Sequence, residues 1–258
     1  MIDVVKLGGS LLENRELRQS ALEAVASAWT SGKRSIVVHG GGKRIDAMLA
    51  ALDIPKKVQG GLRVTDAETL DVVVSILSGL VNKTLVAELR ARGILASGIS
   101  GADGDTLWAE FHEAVEGVDL GFVGRIVRCD PKLLTAVLGA GFLPLVASVA
   151  LGRDGTLLNV NADAAASALA GALGARRLVF LTDVEGVKDA DGNVIPRLEA
   201  RAAKSLLASP AVTGGMKPKL RSALEALEAG VSEVLIAGPS LHRAALLEGK
   251  GGTHLVTA

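Results

Sequence analysis

Six short, predominantly apolar runs recur along the chain, and amphipathic stretches of helical period separate most of them. The runs are residues 4–7, 35–39, 94–99, 143–146, 178–182 and 233–237. Runs of this length, apolar at most positions rather than at alternate ones, suit strands covered on both faces, as in a parallel sheet. Helical periodicity falls on residues 12–30, 42–52, 67–92, 132–140, 162–173, 200–207 and 215–230. Repeated strand–helix–strand units predict right-handed crossovers and an open, mainly parallel three-layer αβα sandwich. Residues 56–64, 105–128 and 184–196 break the alternation and are expected as β-hairpin excursions, the last around the turn signal Ala190-Asp191-Gly192-Asn193. A boundary near 174–176 divides the chain into lobes 1–175 and 176–258.

Composition removes several function classes. The 28 basic and 28 acidic residues of a 258-residue chain balance, so charge gives no reason to expect nucleic acid or an anionic membrane as partner. With 4 Phe, 2 Trp and no Tyr, base-stacking platforms are not expected. The single Cys129 has no partner for an internal disulfide and no metal-ligand spacing around it. Apolar stretches are interrupted by Gly, Arg or Asp, which predicts no membrane span, and the N-terminus lacks signal-peptide architecture. A cytoplasmic protein is the expectation.

Chemistry concentrates where glycine meets lysine. Val4-Val5-Lys6-Leu7 breaks into Gly8-Gly9-Ser10. His39-Gly40-Gly41-Gly42-Lys43 ends the second run, and Gly214-Gly215-Met216-Lys217-Pro218-Lys219 opens the last long helical stretch. Glycines let backbone N–H groups approach an anion, helix N-termini add partial positive charge, and lysines add full charge. Gly-x-Gly-x-x-Gly is absent after residues 4–7. Gly42-Lys43 is followed by Arg44, and the glycine that would open a Walker loop falls at Val37. Neither a Rossmann dehydrogenase nor a P-loop NTPase fits. A lysine in a central strand is costly unless paired, which singles out Lys6. Asp163, in Asn159-Val160-Asn161-Ala162-Asp163, is open to two readings: a partner for lysine, or a helix-capping residue near a cap at Asn159.

In order and spacing, Lys6-Leu7-Gly8-Gly9-Ser10, Val38-His39-Gly40-Gly41-Gly42, Gly61-Leu62-Arg63-Val64-Thr65, Asn159-Val160-Asn161-Ala162-Asp163 and Gly215-Met216-Lys217-Pro218-Lys219 resemble the amino-acid kinase family. Within it they are most similar to members whose acceptor is N-acetyl-L-glutamate. The resemblance implies the amino-acid kinase fold and transfer of the γ-phosphoryl group of ATP to a side-chain carboxylate. It also implies Mg²⁺ held mainly by phosphate oxygens, with no protein-built metal site, and a homodimer. Inhibition by arginine is not expected, because inhibited members carry a helix ahead of the first strand, which here begins by about residue 3.

By the same resemblance, Lys6 neutralises the phosphoryl group on the acceptor side, helped by the backbone of Gly8 and Gly9. Lys219 neutralises the leaving side, and Asp163 holds both ammonium groups. Gly41, Gly42, Arg63 and Asn159 would bind the acceptor, with Arg63 clamping its α-carboxylate. Thr182, Asp183, Val184, Glu185, Gly186, Val187 and Lys188, with Ala211, Val212 and Thr213, would bind ATP. Spacing from Met216 favours Lys219 over Lys217. Leu80-Val81-Asn82-Lys83 and Gly98-Ile99-Ser100-Gly101 are also similar to relatives that phosphorylate carrier-protein-linked aminoadipate in lysine biosynthesis. That alternative stays open, as does a non-catalytic nucleotide- or metabolite-binding module.

Overall fold

The computed structural model describes residues 1–189, 191–209, 212 and 214–257. Its strands are β1 (Ile2–Leu7), β2 (Arg34–His39), β3 (Val58–Gln59), β4 (Leu62–Arg63), β5 (Ala96–Ser100), β6 (Leu107–Phe111) and β7 (Val123–Cys129). They continue as β8 (Leu143–Ala147), β9 (Val149–Leu151), β10 (Leu157–Val160), β11 (Arg177–Leu181), β12 (Arg197–Glu199), β13 (Glu233–Ala237) and β14 (Thr253–Val256). Eight of them form one sheet in the order β12-β14-β13-β11-β1-β2-β8-β5. Pairing is parallel from β13 to β5, and the reversal at β13–β14 turns the last two strands the other way. The sheet runs through the 174–176 boundary without interruption, because β11 pairs directly with β1.

Side chains alternate across the sheet. Val4, Val38 and Phe180 pack on one face with Leu169 and Ala170 of helix Ala162–Ala172 and Leu220 and Ala223 of helix Met216–Glu228. Val5, Leu7, Val37 and Val179 pack on the other with Leu22 and Val25 of helix Arg15–Thr30, Leu85 and Leu89 of helix Asn82–Arg90, and Leu246 of helix His242–Glu248. Lys6 shares parity with Val4, so the two-residue strand period turns it toward helix Ala162–Ala172. β10, β7, β6 and β9 close into a small barrel on that side, and β10 leads straight into this helix.

Several expectations need correction. The stretch 12–30 is two helices, Gly9–Glu13 and Arg15–Thr30. Asn14 between them caps the second by accepting from the Glu16 and Leu17 N–H groups. The stretch 67–92 contains a π-helical segment, Ser75–Val81, between Ala67–Val74 and Asn82–Arg90. Taken together, Ala67–Arg90 is long and apolar enough to cross a membrane by length and composition alone. One side of it nevertheless packs into the protein through Val72, Val73, Ile76, Leu77, Leu85 and Leu89. The 56–64 hairpin is β3–β4 and the 105–128 excursion is β6–β7. The 184–196 excursion turns back on itself through an antiparallel Lys188–Val194 bridge, with the Ile195 N–H donating to the Val187 carbonyl at 2.8 Å and the Asp189 N–H to the Asn193 carbonyl at 2.9 Å, and Ala190 lies outside the described residues. Helix His242–Glu248 and strands β9, β10, β12 and β14 had no sequence expectation, being short and flanked by polar residues.

Candidate active site

The parallel strands end together at one edge, and β1 sits where the chain's path across the sheet changes direction, the usual place for a crevice in an open α/β sheet. Lys6 lies at the end of β1. Its register partners are Val38 of β2 and Phe180 of β11. Helix Ala162–Ala172 begins above this edge. Its cap is Asn161, whose Oδ1 accepts from the Asp163 N–H at 2.8 Å and the Ala164 N–H at 3.2 Å. That corrects the cap expected at Asn159 and frees the Asp163 side chain from any capping duty. The Asp163 carboxylate spans two lysines instead. Oδ1 is 2.5 Å from Lys6 Nζ, and Oδ2 is 3.3 Å from Lys219 Nζ.

All three side chains are buried, at 6% (Lys6), 6% (Asp163) and 7% (Lys219) exposure, so none is a solvated surface charge. Burial pushes the Asp163 carboxyl up, but the two ammonium groups outweigh it and hold it below the usual carboxylate range. Burial and then the Lys6 charge pull Lys219 below its ordinary value, with Asp163 partly opposing them. The Lys219 ammonium lies 5.4 Å from the centre of the Phe180 ring, within cation–π range. Lys217 is exposed, so burial agrees with spacing in selecting Lys219.

A cleft of about 230 Å³ opens beside this triad, and Lys6, Gly41, Gly42, Arg63, Asn159 and Asp163 all line it. Residues spread from 6 to 163 in sequence thus meet in one place. Arg63 donates to the Gly42 carbonyl at 3.1 Å and pairs through the same nitrogen with Asp46, while its other terminal nitrogen is buried with no hydrogen-bond partner. A guanidinium fixed at one nitrogen and unfilled at the other is poised for a carboxylate. Asn159 donates Nδ2 to Thr65 Oγ1 at 3.1 Å, which leaves its carbonyl oxygen for another donor. Sequence reasoning missed Asp46, Ser148 and Asn161. Asp46 lies four residues past the glycine loop on the next helix, a spacing that could have been read; Ser148 carried no signal.

The glycine loops divide their work differently from expectation. The Gly8 N–H is already committed to the Leu181 carbonyl at 2.9 Å, which ties the ends of β1 and β11 together. Gly9, at the start of a helix and lining the cleft, keeps a first-turn amide for an anion. Of the ATP-binding expectations, Thr182 to Lys188 follow β11 at the same sheet edge. Thr182 is buried, and Asp183 receives hydrogen bonds from Thr182 and Ser10. Val187 and Val212 are packed in the core, so their side chains serve the fold. Ala211 and Thr213 lie outside the described residues. No group of three or more His, Cys, Asp or Glu side chains able to hold a metal occurs among the described residues.

Residues 1–238 match the profile of the amino acid kinase family. The acetylglutamate kinase of Rhizobium rhizogenes is 42% identical over 254 residues, which is 95% of this chain and 86% of that protein. Two crystal structures superpose over the full length of this chain. One is smu.665 from Streptococcus mutans, at 28% identity and a TM-score of 0.84, covering 99% of that chain. The other is the N-acetylglutamate synthase from Neisseria gonorrhoeae complexed with coenzyme A and N-acetyl-glutamate, at 27% identity and 0.85, covering 59% of that chain.

Proposed function

We propose, for a chain that belongs to the amino acid kinase family, that it transfers the γ-phosphoryl group of ATP to the side-chain carboxylate of N-acetyl-L-glutamate. The product is N-acetylglutamyl 5-phosphate, for arginine biosynthesis. The observation that carries this reading is the Lys6–Asp163–Lys219 triad, whose Lys6 and Asp163 line a cleft that also holds a half-partnered Arg63. A glutamyl carboxylate, with a pKa of about 4.3, is already ionised at neutral pH and needs no general base. Asp163 is a poor base in any case, being paired to two cations. The barrier is repulsion between the acceptor carboxylate and the anionic γ-phosphate, so catalysis consists of positioning and charge neutralisation.

One acceptor oxygen forms the new bond to phosphorus while the bond to the β–γ bridging oxygen breaks, and its electrons leave with ADP. Lys6 faces the acceptor side of this exchange and Lys219 the leaving side. Asp163 holds the two ammonium groups apart and correctly aimed. Gly9, Gly41 and Gly42 offer backbone N–H groups, Arg63 takes the α-carboxylate, and the Asn159 carbonyl oxygen accepts from the acetamido N–H. Residues 1–175 carry the acceptor and 176–258 the nucleotide, through Thr182, Asp183 and their neighbours. Asp163 and Asp183 are engaged by lysines and by hydroxyl groups, so Mg²⁺ would be held mainly by the phosphate oxygens of ATP, where it would neutralise their charge.

The carrier-linked aminoadipate reading expects basic surface around the acceptor mouth, for which the sequence offers Lys56-Lys57. Lys56 is paired with Asp46 at 2.7 Å and Lys57 is exposed, so the pair offers one free basic charge rather than a basic surface, which favours the small acceptor. A coupled assay of ADP release with N-acetyl-L-glutamate, glutamate and carrier-linked aminoadipate tests the choice. Preference for the carrier-linked substrate would overturn it.

Arg63→Lys is expected to raise the KM for the acceptor about tenfold or more and leave that for ATP within twofold, because a point charge cannot replace a two-pronged donor. Equal effects on both substrates would mean that Arg63 shapes the cleft rather than grips the acceptor. We also propose a cytoplasmic homodimer. β5 is a terminal strand with an open edge, and Leu80 and Leu95 beside it are 43% and 48% exposed. Sedimentation at micromolar concentration should give twice the 26.4 kDa chain mass; a monomer would contradict this.

A further inference from the structure

His39 ends β2 and is fully buried, although nothing in the reaction uses an imidazole. Its Nδ1 lies 3.0 Å from the Gly40 carbonyl and its Nε2 lies 3.0 Å from Nδ2 of Asn82. Asn82, also fully buried, directly follows the π-helical segment Ser75–Val81. The orientation of its amide is set on both sides. Nδ2 faces the carbonyls of Leu145 at 3.0 Å and Ile99 at 3.3 Å, while Oδ1 accepts from Lys83 Nζ at 3.0 Å. The Gly40 carbonyl can only accept and Nδ2 can only donate, so the neutral tautomer that fits both carries its proton on Nδ1, donated to Gly40, and leaves Nε2 as an acceptor that shares the two Nδ2 hydrogens with the Leu145 and Ile99 carbonyls. The two unabsorbed sequence motifs meet here. Lys83 donates to the Gly98 carbonyl at 2.8 Å, and a side chain at Gly98 would collide with Asn82 Oδ1.

The same π-helical segment supports the glycine loop from behind. A β-carbon at Gly41 would stand 2.9 Å from Leu77 Cδ2 and 3.2 Å from Val81 Cγ2. The loop therefore rests on Leu77 and Val81 and is tied by His39, with its other side lining the acceptor cleft. A peptide unit is planar, and its C=O and N–H point in opposite directions. Fixing the Gly40 carbonyl against His39 thus fixes the direction of the Gly41 N–H, away from the buried imidazole.

We infer that His39 is a positioning residue for the acceptor, with Asn82 selecting its tautomer so that the Gly41 amide is aimed before substrate arrives. Burial pulls the imidazole down to about 4, so the strut stays neutral at physiological pH. The inference rests on the glycine loop binding the acceptor, and substitution at His39 separates the strut from mere filling of space. Asparagine places a donor near Nδ1 and keeps the bond to Gly40, whereas glutamine reaches toward Asn82 and loses it. His39→Gln and His39→Leu are expected to raise the acceptor KM about tenfold, the worth of one net hydrogen bond, with the ATP KM within twofold. His39→Asn should stay within about threefold of wild type in both. Gly98→Ala approaches from outside the loop by displacing Asn82, and should reproduce the acceptor-only effect. Glutamine performing as well as asparagine, both constants rising together, or an unaltered Gly98→Ala enzyme would overturn the inference. Wild-type acceptor preference is measured in the same series, and the comparison is made on whichever carboxylate is turned over. Failure of the acceptor assignment thereby shows in the wild type and failure of the strut in the variants.

Discussion

Replacing Lys6 by alanine is expected to leave ATP binding almost unchanged and to cut kcat by about 10²–10³, equivalent to about 3–4 kcal/mol of lost transition-state stabilisation. The expectation follows from where Lys6 stands. It ends a buried central strand, faces the acceptor cleft and is held by Asp163 rather than by solvent. Its charge has most to stabilise when the phosphoryl group is between acceptor and donor oxygens, and least when ATP alone is bound. Removing it also leaves a void beside Asp163 into which water can enter, so the loss is not recovered by relaxation. Parallel measurement of kcat and of ATP affinity by calorimetry separates these effects. Near-native turnover would remove Lys6 from the chemistry, and an equal loss in ATP affinity would make it a ground-state binding group.

Asp163→Asn should be at least as severe, and it should show in stability as well as rate. The carboxylate is the shared partner of two buried ammonium groups, and removing one partner of a buried ion pair costs about 3–5 kcal/mol. Part of that cost can be relieved if Lys219 loses its proton, since burial and the Lys6 charge already hold it below its ordinary value. The sign follows directly. Lys219 is useful only when protonated, so activity is lost as pH rises through its lowered pKa. Deleting the charge of Asp163, which with Asp183 raises it, moves that alkaline limb to lower pH. The expected result is a kcat reduced by about 10²–10³ or more, a lower Tm, and an alkaline limb of kcat/KM displaced downward. The helix cap is untouched because Asn161 supplies it. Wild-type rate with an unchanged pH profile would contradict the role assigned to Asp163.

Six of the eight strands of the central sheet were legible because their runs are mostly apolar rather than alternating, whereas β12 and β14 at its edge are short and partly polar. Its order was not, since the placement of β11 beside β1 depends on packing between segments about 170 residues apart. The small barrel escaped for a related reason. β9 and β10 are three and four residues long, too short for alternation to stand out. At the site, residues carrying unusual chemistry for their position were readable. Lys6 in a buried strand announces a partner, whereas Asp163 stayed open between partner and cap until Asn161 is seen to cap the helix. Residues that act through a neighbour were not readable. Asp46 looks like any exposed helix acid until Arg63 is seen against it, and Asn82 looks like a helix-surface residue until the π-helical segment turns it inward. The Gly8 amide shows the converse error, in which a glycine assigned to the ligand turns out to bind the neighbouring strand.

On the proposed function, N-acetyl-L-glutamate leaves the enzyme as an acyl phosphate. Running the reaction with ATP, Mg²⁺ and N-acetyl-L-glutamate in the presence of hydroxylamine tests it directly, because hydroxylamine displaces phosphate from an acyl phosphate and leaves a stable hydroxamate. The expected result is N-acetylglutamyl hydroxamate in equal amount to the ADP released, with neither formed when the acceptor is left out. ADP released without hydroxamate, or no ADP released with this acceptor, would contradict it.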